Sequence, residues 1–321
     1  MKRNAGIELY RVLLMFGIVL LHAMTTCGYK VPGLFGRTSY FLYSCVVGFV
    51  FITGWYGVKF SLFKLAKLWG IAVWCIVVVA IVDFMMNGYS GWWHYYDILK
   101  GNWFLNAYTV LMLVAPTLNF LIDGICEAPE HTRNQCRSAV ILLLFLVFGW
   151  SFLRESPLVS RLVPVSAGVE SYSACSLIGI YLAAKLVRAF NVDVRLTVRM
   201  RLMIACACCV AISCHLSTYS SPFSFGLAML GFLVFKDIKI GIRMSRLILC
   251  MSPSMFAVFL LHANPIVFGF MKSFIDRTGG AFIMTALVVF FTTLALDVPR
   301  RLLLWIILYC KARHFICSSA R

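Results

Sequence analysis

Charged residues are scarce in this sequence of 321 residues. Lysine, arginine, aspartate and glutamate make up 13% of it and only 12 residues are acidic, whereas 62% are hydrophobic. Soluble domains carry about a quarter charged residues, so this composition excludes a soluble globular protein. Apolar runs of about 20 residues recur along the chain, and each is long enough to cross a bilayer. The sequence therefore predicts an all-α, polytopic integral membrane helix bundle that forms a single domain over 1–321.

Several catalytic motifs are absent as well. The chain has no glycine-rich phosphate loop, no G-x-S-x-G nucleophile elbow and no H-E-x-x-H zinc motif. Its thirteen cysteines lie mostly inside apolar runs at scattered helix angles, so we interpret them as buried small hydrophobes and expect no metal site. The first apolar run is too long for a cleaved signal peptide and contains Arg11 and His22.

The basic residues indicate a topology. About ten transmembrane helices can be placed, and with the N-terminus in the cytoplasm 22 of the 29 lysines and arginines fall on the cytoplasmic side. This bias obeys the positive-inside rule and predicts cytoplasmic N- and C-termini. The net charge of +17 therefore reports topology first, and we expect no nucleic-acid partner. The predicted helices are 6–28, 38–58, 65–86, 103–122, 138–153, 171–189, 200–216, 220–235, 250–271 and 281–310.

The first helix carries three ionisable side chains on one face. Arg11 and His22 are eleven residues apart, which places them within about 20° of each other around a helix and roughly 16 Å apart along it. Glu8 lies one turn before Arg11 on the same face, where it would orient or neutralise the guanidinium. Ionisable groups at membrane depth usually face a protein interior or a water-filled cavity. The alternative is that Arg11 reaches the headgroups and His22 is a hydrogen-bonded core histidine.

Further motifs follow in chain order. The second helix ends in Phe-Ile-Thr-Gly-Trp-Tyr at 51–56, and a basic segment with Lys64 and Lys67 comes next. Trp-Phe-Leu-Asn-Ala-Tyr opens at Trp103 and contains Asn106 and Tyr108, and a late segment reads Val-Phe-Leu-Leu-His-Ala-Asn-Pro at 258–265. Together with the first helix, this set resembles the membrane-bound acyltransferase family 3, whose members O-acylate cell-surface glycans and related acceptors.

The resemblance implies roles for particular residues. His22 matches the essential histidine of the family's first helix, and Arg11 matches its partner arginine. Lys64 and Lys67 occupy a region where the family often has arginines, and the change to lysine keeps the charge but loses bidentate geometry. His262 and Asn264 match the late motif, with a helix-end hydrogen-bond pair as the alternative. Phe259 stands where the family usually has tyrosine.

The expected function follows from that chemistry. Acyl transfer from a coenzyme A thioester to a sugar hydroxyl needs a base or a nucleophile, and a neutral buried His22 suits either task. Arg11, Lys64 and Lys67 would hold the phosphates of acetyl-CoA at the cytoplasmic mouth. We therefore expect an O-acetyltransferase of the bacterial inner membrane, without a metal, that acts on a surface polysaccharide or its lipid-linked precursor. The alternative function is a transporter or flippase for a polyprenyl-linked glycan.

The aromatic segment from Gly88 to Trp103 is typical either of a surface that stacks on sugars or of an interfacial aromatic belt. The candidate substrate-binding residues are His262, Asn264, Trp103, Asn106 and Tyr108. Asp297 and Arg300, one helical turn apart, are interpreted as a structural ion pair.

Overall fold

The computed structural model describes residues 3–25, 33–88, 102–139, 141–142, 169–191, 197–213 and 221–306. Every regular element in these ranges is a helix. We number the main helices α1 to α11, with a short 3-10 turn at Ser252–Ser254 between α8 and α9; further helical residues lie at 130–139 and 298–306. The bounds are α1 Ala5–Thr25, α2 Gly33–Tyr56, α3 Leu62–Asn87, α4 Trp103–Glu127, α5 Val169–Ala189, α6 Val198–Ser213, α7 Pro222–Asp237, α8 Ile242–Met251, α9 Met255–His262, α10 Pro265–Arg277 and α11 Phe282–Leu296.

Six stretches of the described chain are long and apolar enough to cross a membrane, which agrees with a multi-pass membrane protein. The predicted count of ten is not confirmed. Helices α6 and α7 contain 16 residues each, about 24 Å at 1.5 Å per residue, which is less than the roughly 30 Å of a hydrocarbon core. Most of the predicted helix 138–153 lies outside the described residues. The six stretches are Ala5–Thr25, Ser39–Tyr56, Leu62–Met85, Trp103–Glu127, Ile242–His262 and Phe282–Ile306.

One predicted helix was wrong in its course. We expected 250–271 to be continuous, but the chain leaves the helix at His262 and starts a new one at Pro265. Proline has no N–H to donate into a helix and fits well at the first helical position, so it favours a new start there. Asn264 caps the new helix by accepting a hydrogen bond from the Val267 N–H at 3.1 Å.

Helix α1 lies at the centre of the bundle. It packs against α2, α7, α8, α9, α10 and α11, and 61% of its span is buried, compared with 28% for the span in α3. A mostly apolar helix with glycines at its close contacts, such as Gly17 against Cys45, is suited to this position. The face that carries Glu8, Arg11 and His22 is therefore turned toward protein.

The basic end of the bundle, as we call it, brings together cations from several chain segments. Asn4 donates to the Lys236 carbonyl at 2.9 Å, Arg188 donates to the Trp55 carbonyl at 2.6 Å, and Lys185 pairs with Asp123 at 3.2 Å. The start of α1 thus lies beside the last turn of α7, and the last turn of α5 lies beside that of α2. Sequence topology assigned these basic residues to one side of the membrane, and they lie together in the fold.

Gly54 allows α2 and α5 to approach closely. A Cβ atom at this position would lie 2.5 Å from the Tyr181 carbonyl oxygen and 2.9 Å from the Ala184 Cβ. Both contacts are shorter than van der Waals distance, and one is to backbone that cannot rotate away. The glycine in the Thr-Gly-Trp-Tyr motif is therefore required by packing.

We expect Gly54→Ala to lower the melting temperature of the purified protein by several degrees, because overpacking a core costs about 1–3 kcal/mol. The measurement is thermal unfolding in detergent by intrinsic fluorescence. Gly70→Ala is the control, since Gly70 is an exposed position in α3 with nothing within 4 Å of an added Cβ. Equal melting temperatures for both variants would contradict the packing argument.

Candidate active site

The site begins with an ion pair on the first two turns of α1. The Arg11 guanidinium lies 3.2 Å from Glu8 Oε1 and 3.4 Å from Glu8 Oε2, so Glu8 neutralises and orients Arg11. The Ser252 hydroxyl donates to the other side of the pair, at Glu8 Oε2. Glu8 is 5% exposed, whereas the Arg11 side chain is 32% exposed. The carboxylate is therefore a buried connection between α1 and the Ser252–Ser254 turn, and the guanidinium remains accessible.

Fourteen residues after Glu8 on α1, His22 contacts His262, the other histidine that the sequence motifs indicated. Nδ1 of His22 lies 2.9 Å from Nε2 of His262, and the ring centroids are 5.0 Å apart. His262 is fully buried at the end of α9, and His22 is partly buried, with Phe268 edge-on to its ring at 5.6 Å. The contact joins residues 240 positions apart in sequence.

The protons of this pair can be assigned from one carbonyl group. Nδ1 of His262 lies 2.8 Å from the Val258 carbonyl oxygen, which can only accept, so Nδ1 of His262 carries a proton. In neutral His262, Nε2 is then an acceptor, and Nδ1 of His22 must be the donor to it. Neutral His22 therefore has its lone pair on Nε2. The pair orients His22 for proton abstraction or nucleophilic attack through that atom.

A cavity of about 440 Å³ opens on the same face of α1. Arg11, Met15 and Ile18 line it at helical spacing. His22 is the next residue of this face, one turn beyond Ile18, and neither His22 nor His262 is among the residues that line the cavity. At the opposite end the cavity mouth holds five cationic side chains, those of Arg3, Arg11, Lys59, Lys64 and Lys67. Phosphate groups bind well to such a set of cations.

Hydrogen bonds from Tyr181 and Asn119 hold the backbone at the cavity mouth, and the sequence did not reveal them. The Tyr181 hydroxyl accepts from the Val58 N–H at 3.0 Å and donates to Asn119 Oδ1 at 2.7 Å, while Asn119 Nδ2 donates to the Val58 carbonyl at 2.9 Å. This closed set of bonds holds the backbone between α2 and α3. Gly57, with φ of 73°, makes the turn that starts this segment. Lys59 and Lys64 then face the cavity, with Lys64 Nζ donating to the Lys59 carbonyl at 2.7 Å.

The remaining sequence candidates divide into two groups. Tyr108 lines the cavity, and its ring is stacked on Phe104 with the centroids 5.9 Å apart. Trp103 is partly buried against Phe104 and Asn106 is exposed, and neither lines this cavity. Their role in substrate binding stays a prediction, because the aromatic segment 89–101 next to them lies outside the described residues.

Asp297 and Arg300 form a buried bidentate ion pair away from the cavity. Arg300 Nε lies 2.6 Å from Oδ1 of Asp297 and Nη2 lies 2.8 Å from Oδ2, and neither residue is more than 7% exposed. The described residues contain no group of three His, Cys, Asp or Glu side chains placed to hold a metal ion.

Sequence reasoning missed four contributors to the site. Arg3 and Lys59 were assigned to the cytoplasmic side but not to a site, although Lys59 belongs to the same basic segment as Lys64. Ser252 and Tyr181 carried no recognisable signal, because a hydroxyl becomes informative only when its partner on another helix is known.

The fold and the site together define a multi-pass membrane protein with a basic cavity that leads along one helix toward a buried imidazole pair. A family model described as an acyltransferase domain, that of acyltransferase family 3, matches residues 4–298. The chain belongs to this acyltransferase family. Neither the curated proteins nor the solved structures contained a match to it.

Asn264 supports His262 through the helix break rather than by facing the cavity. Its amide donates to the Leu261 carbonyl and accepts from the Val267 N–H. We expect Asn264→Ala to destabilise the protein by about 1 kcal/mol, the usual cost of losing a helix cap, and Asn264→Ser to recover most of it. Thermal unfolding in detergent measures both. A serine variant as unstable as the alanine variant would argue against the capping role.

Proposed function

We propose that this membrane acyltransferase transfers an acetyl group from acetyl-CoA to a hydroxyl group of a bacterial cell-surface polysaccharide or of its lipid-linked precursor. The observation that carries the proposal is the alignment of a five-cation mouth, a cavity and the His22–His262 pair along one face of α1. The acyltransferase family supplies the reaction class. The proposed acceptor rests on the resemblance of this chain to family members that O-acylate cell-surface glycans.

The donor would enter from the basic end. Coenzyme A carries phosphates on its nucleotide and a long flexible arm that ends in the thioester. Arg3, Arg11, Lys59, Lys64 and Lys67 would bind the phosphates at the mouth, where Glu8 holds the Arg11 guanidinium in place. The arm would then lie along Met15 and Ile18, which places the thioester near His22.

In the first of two routes, His22 acts as a general base. Nε2 accepts the proton of the acceptor hydroxyl, the oxygen forms a bond to the thioester carbonyl carbon, and the C–S bond breaks. The proton then passes from His22 to the departing thiolate, which gives free coenzyme A. In the second route Nε2 forms a bond to the carbonyl carbon and the C–S bond breaks, which releases coenzyme A as the thiolate. The acceptor oxygen then forms a bond to the acyl carbon, the bond from that carbon to Nε2 breaks, and the hydroxyl proton passes to the thiolate.

His262 serves both routes. When His22 gains a proton or an acyl group at Nε2, positive charge develops on its ring, and its Nδ1–H donates more strongly to Nε2 of His262. His262 is held in the accepting tautomer by its own bond to the Val258 carbonyl. This arrangement follows the logic of a catalytic triad, with an imidazole in the place of the carboxylate that orients the base.

We expect His22→Ala to abolish release of coenzyme A from acetyl-CoA, because both routes need Nε2. His262→Ala should lower kcat by about 10²-fold or more through loss of the orienting acceptor, and His262→Gln should recover part of it, since the amide oxygen can accept from His22 Nδ1. Free coenzyme A is measured by chromatography, because the chain's own thirteen cysteines would consume a thiol reagent.

His131→Ala is the matched control for these histidine variants. His131 is exposed, lies in the helical segment 130–139 and contacts Gln135 at 3.1 Å. Its removal should leave the rate unchanged. Full turnover by His22→Ala would overturn the assignment, and a wild-type protein that moves a lipid-linked glycan without releasing coenzyme A would favour the transporter alternative.

The cations at the mouth give a second prediction. We expect the Lys64→Gln, Lys67→Gln double variant to raise KM for acetyl-CoA about tenfold or more with a smaller change in kcat, because lost phosphate contacts weaken binding of the donor in all states. Steady-state kinetics at two salt concentrations measures the effect.

Lys272→Gln is the control for the charge itself. Lys272 is an exposed residue of α10, the helix that follows the imidazole pair, and does not line the cavity. An equal rise in KM for this variant would show that overall charge, rather than the mouth, governs donor binding.

A further inference from the structure

The cavity changes in chemical character along its length. The α1 face and the segment 252–262 run side by side, since Glu8 contacts Ser252 at one end and His22 contacts His262 at the other. Residues of the two segments can therefore be ordered by depth. Cations occupy the level of Ser252, and apolar side chains occupy the levels of Met15 and Ile18.

Two phenylalanine rings occupy the deep end of the cavity. Phe259 lies one turn before His262 and is edge-on to its ring at 5.7 Å. Phe104 lies 4.9 Å from Phe259, centroid to centroid, and both line the cavity while being no more than 8% exposed. Phe104 belongs to this depth because Asn119, about 22 Å further along α4, contacts Val58 at the mouth.

On the side nearest the imidazole pair the cavity thus ends at Ile18, Phe104 and Phe259, and these side chains lie between it and the two histidines. All three side chains are buried members of one hydrophobic core cluster, so the deep end of the cavity is walled by packed apolar groups. Phe259 has no hydroxyl group, so this wall presents only hydrocarbon to the acyl group. Phe256, one turn nearer the mouth, also lines the cavity. Its ring lies beside that of Tyr108, with the centroids 6.4 Å apart, whereas the ring of Phe259 lies beside that of His262.

We infer that Phe104 and Phe259 set the length of the acyl chain that the enzyme accepts, restricting it to short acyl groups. This inference rests on the proposed function, because it assumes that the thioester lies beside His22. In a pocket bounded by packed apolar side chains, each methylene that does not fit is worth about 10- to 200-fold in specificity. A longer acyl chain would need the volume that the two rings now fill.

The test compares acetyl-, butyryl- and hexanoyl-CoA as donors for the purified full-length protein, with chromatographic detection of free coenzyme A. We expect the wild type to favour acetyl-CoA over hexanoyl-CoA by at least tenfold in kcat/KM. Phe259→Ala and Phe104→Ala should each reduce or invert this ratio, because they open space beside the imidazole pair. Phe256→Ala is the matched control, since it removes the same ring from the same cavity wall at a shallower level and should leave the ratio of the donors unchanged.

The outcomes separate this inference from the proposed function. A wild-type protein that releases coenzyme A from no donor overturns the proposed function. A wild-type protein that uses all three donors equally, or Phe259→Ala and Phe104→Ala variants that retain activity with an unchanged donor ratio, overturns the inference and leaves the function standing. Should both alanine variants fail to fold, Phe259→Leu makes the smaller change in volume, and an unchanged ratio in that variant counts against the inference as well.

Discussion

The site depends on the parallel alignment of α1 with the segment 252–262, which is tied at both ends by polar contacts. Glu8 and Ser252 meet at the basic end, and His22 and His262 meet about 20 Å further along the helix. Inside a bilayer a polar group without a partner costs several kcal/mol, so such contacts strongly favour one register over any other. The cavity between the two ties is the space that this register leaves open.

This architecture separates two chemical tasks along one helix. The basic end collects five cations from two chain segments, 3–11 and 59–67, around the cavity mouth, where charged phosphates can remain partly hydrated. The imidazole pair lies among aromatic rings, where water is largely excluded and a fixed hydrogen bond is stronger than in solvent. A donor with an anionic head and an acyl group at the end of a long arm matches this order of surfaces.

Local sequence patterns predicted part of this arrangement. The shared face of Glu8, Arg11 and His22 follows from helix geometry alone, and the basic bias placed Arg3, Lys59, Lys64 and Lys67 on one side of the membrane. The break at His262 to Pro265 was missed because a hydropathy run continues through it, although Pro265 and Asn264 are both typical of a helix start. The predicted count of ten membrane spans was not confirmed. Helices α6 and α7, for example, contain 16 residues each, which is too short to cross the hydrocarbon core of a bilayer.

The amino-acid sequence by itself determined the class of protein and the polar face of its first helix, because apolar length, charge bias and helical spacing are properties of neighbouring residues. Only the tertiary structure decided which residues of the other helices face that side of α1 and its cavity. His262 reaches His22 from 240 residues away, Tyr181 and Asn119 hold the mouth from two other helices, and Phe104 meets Phe259 at the deep end of the cavity. Such pairings depend on how helices pack, and no periodicity within a single helix specifies them.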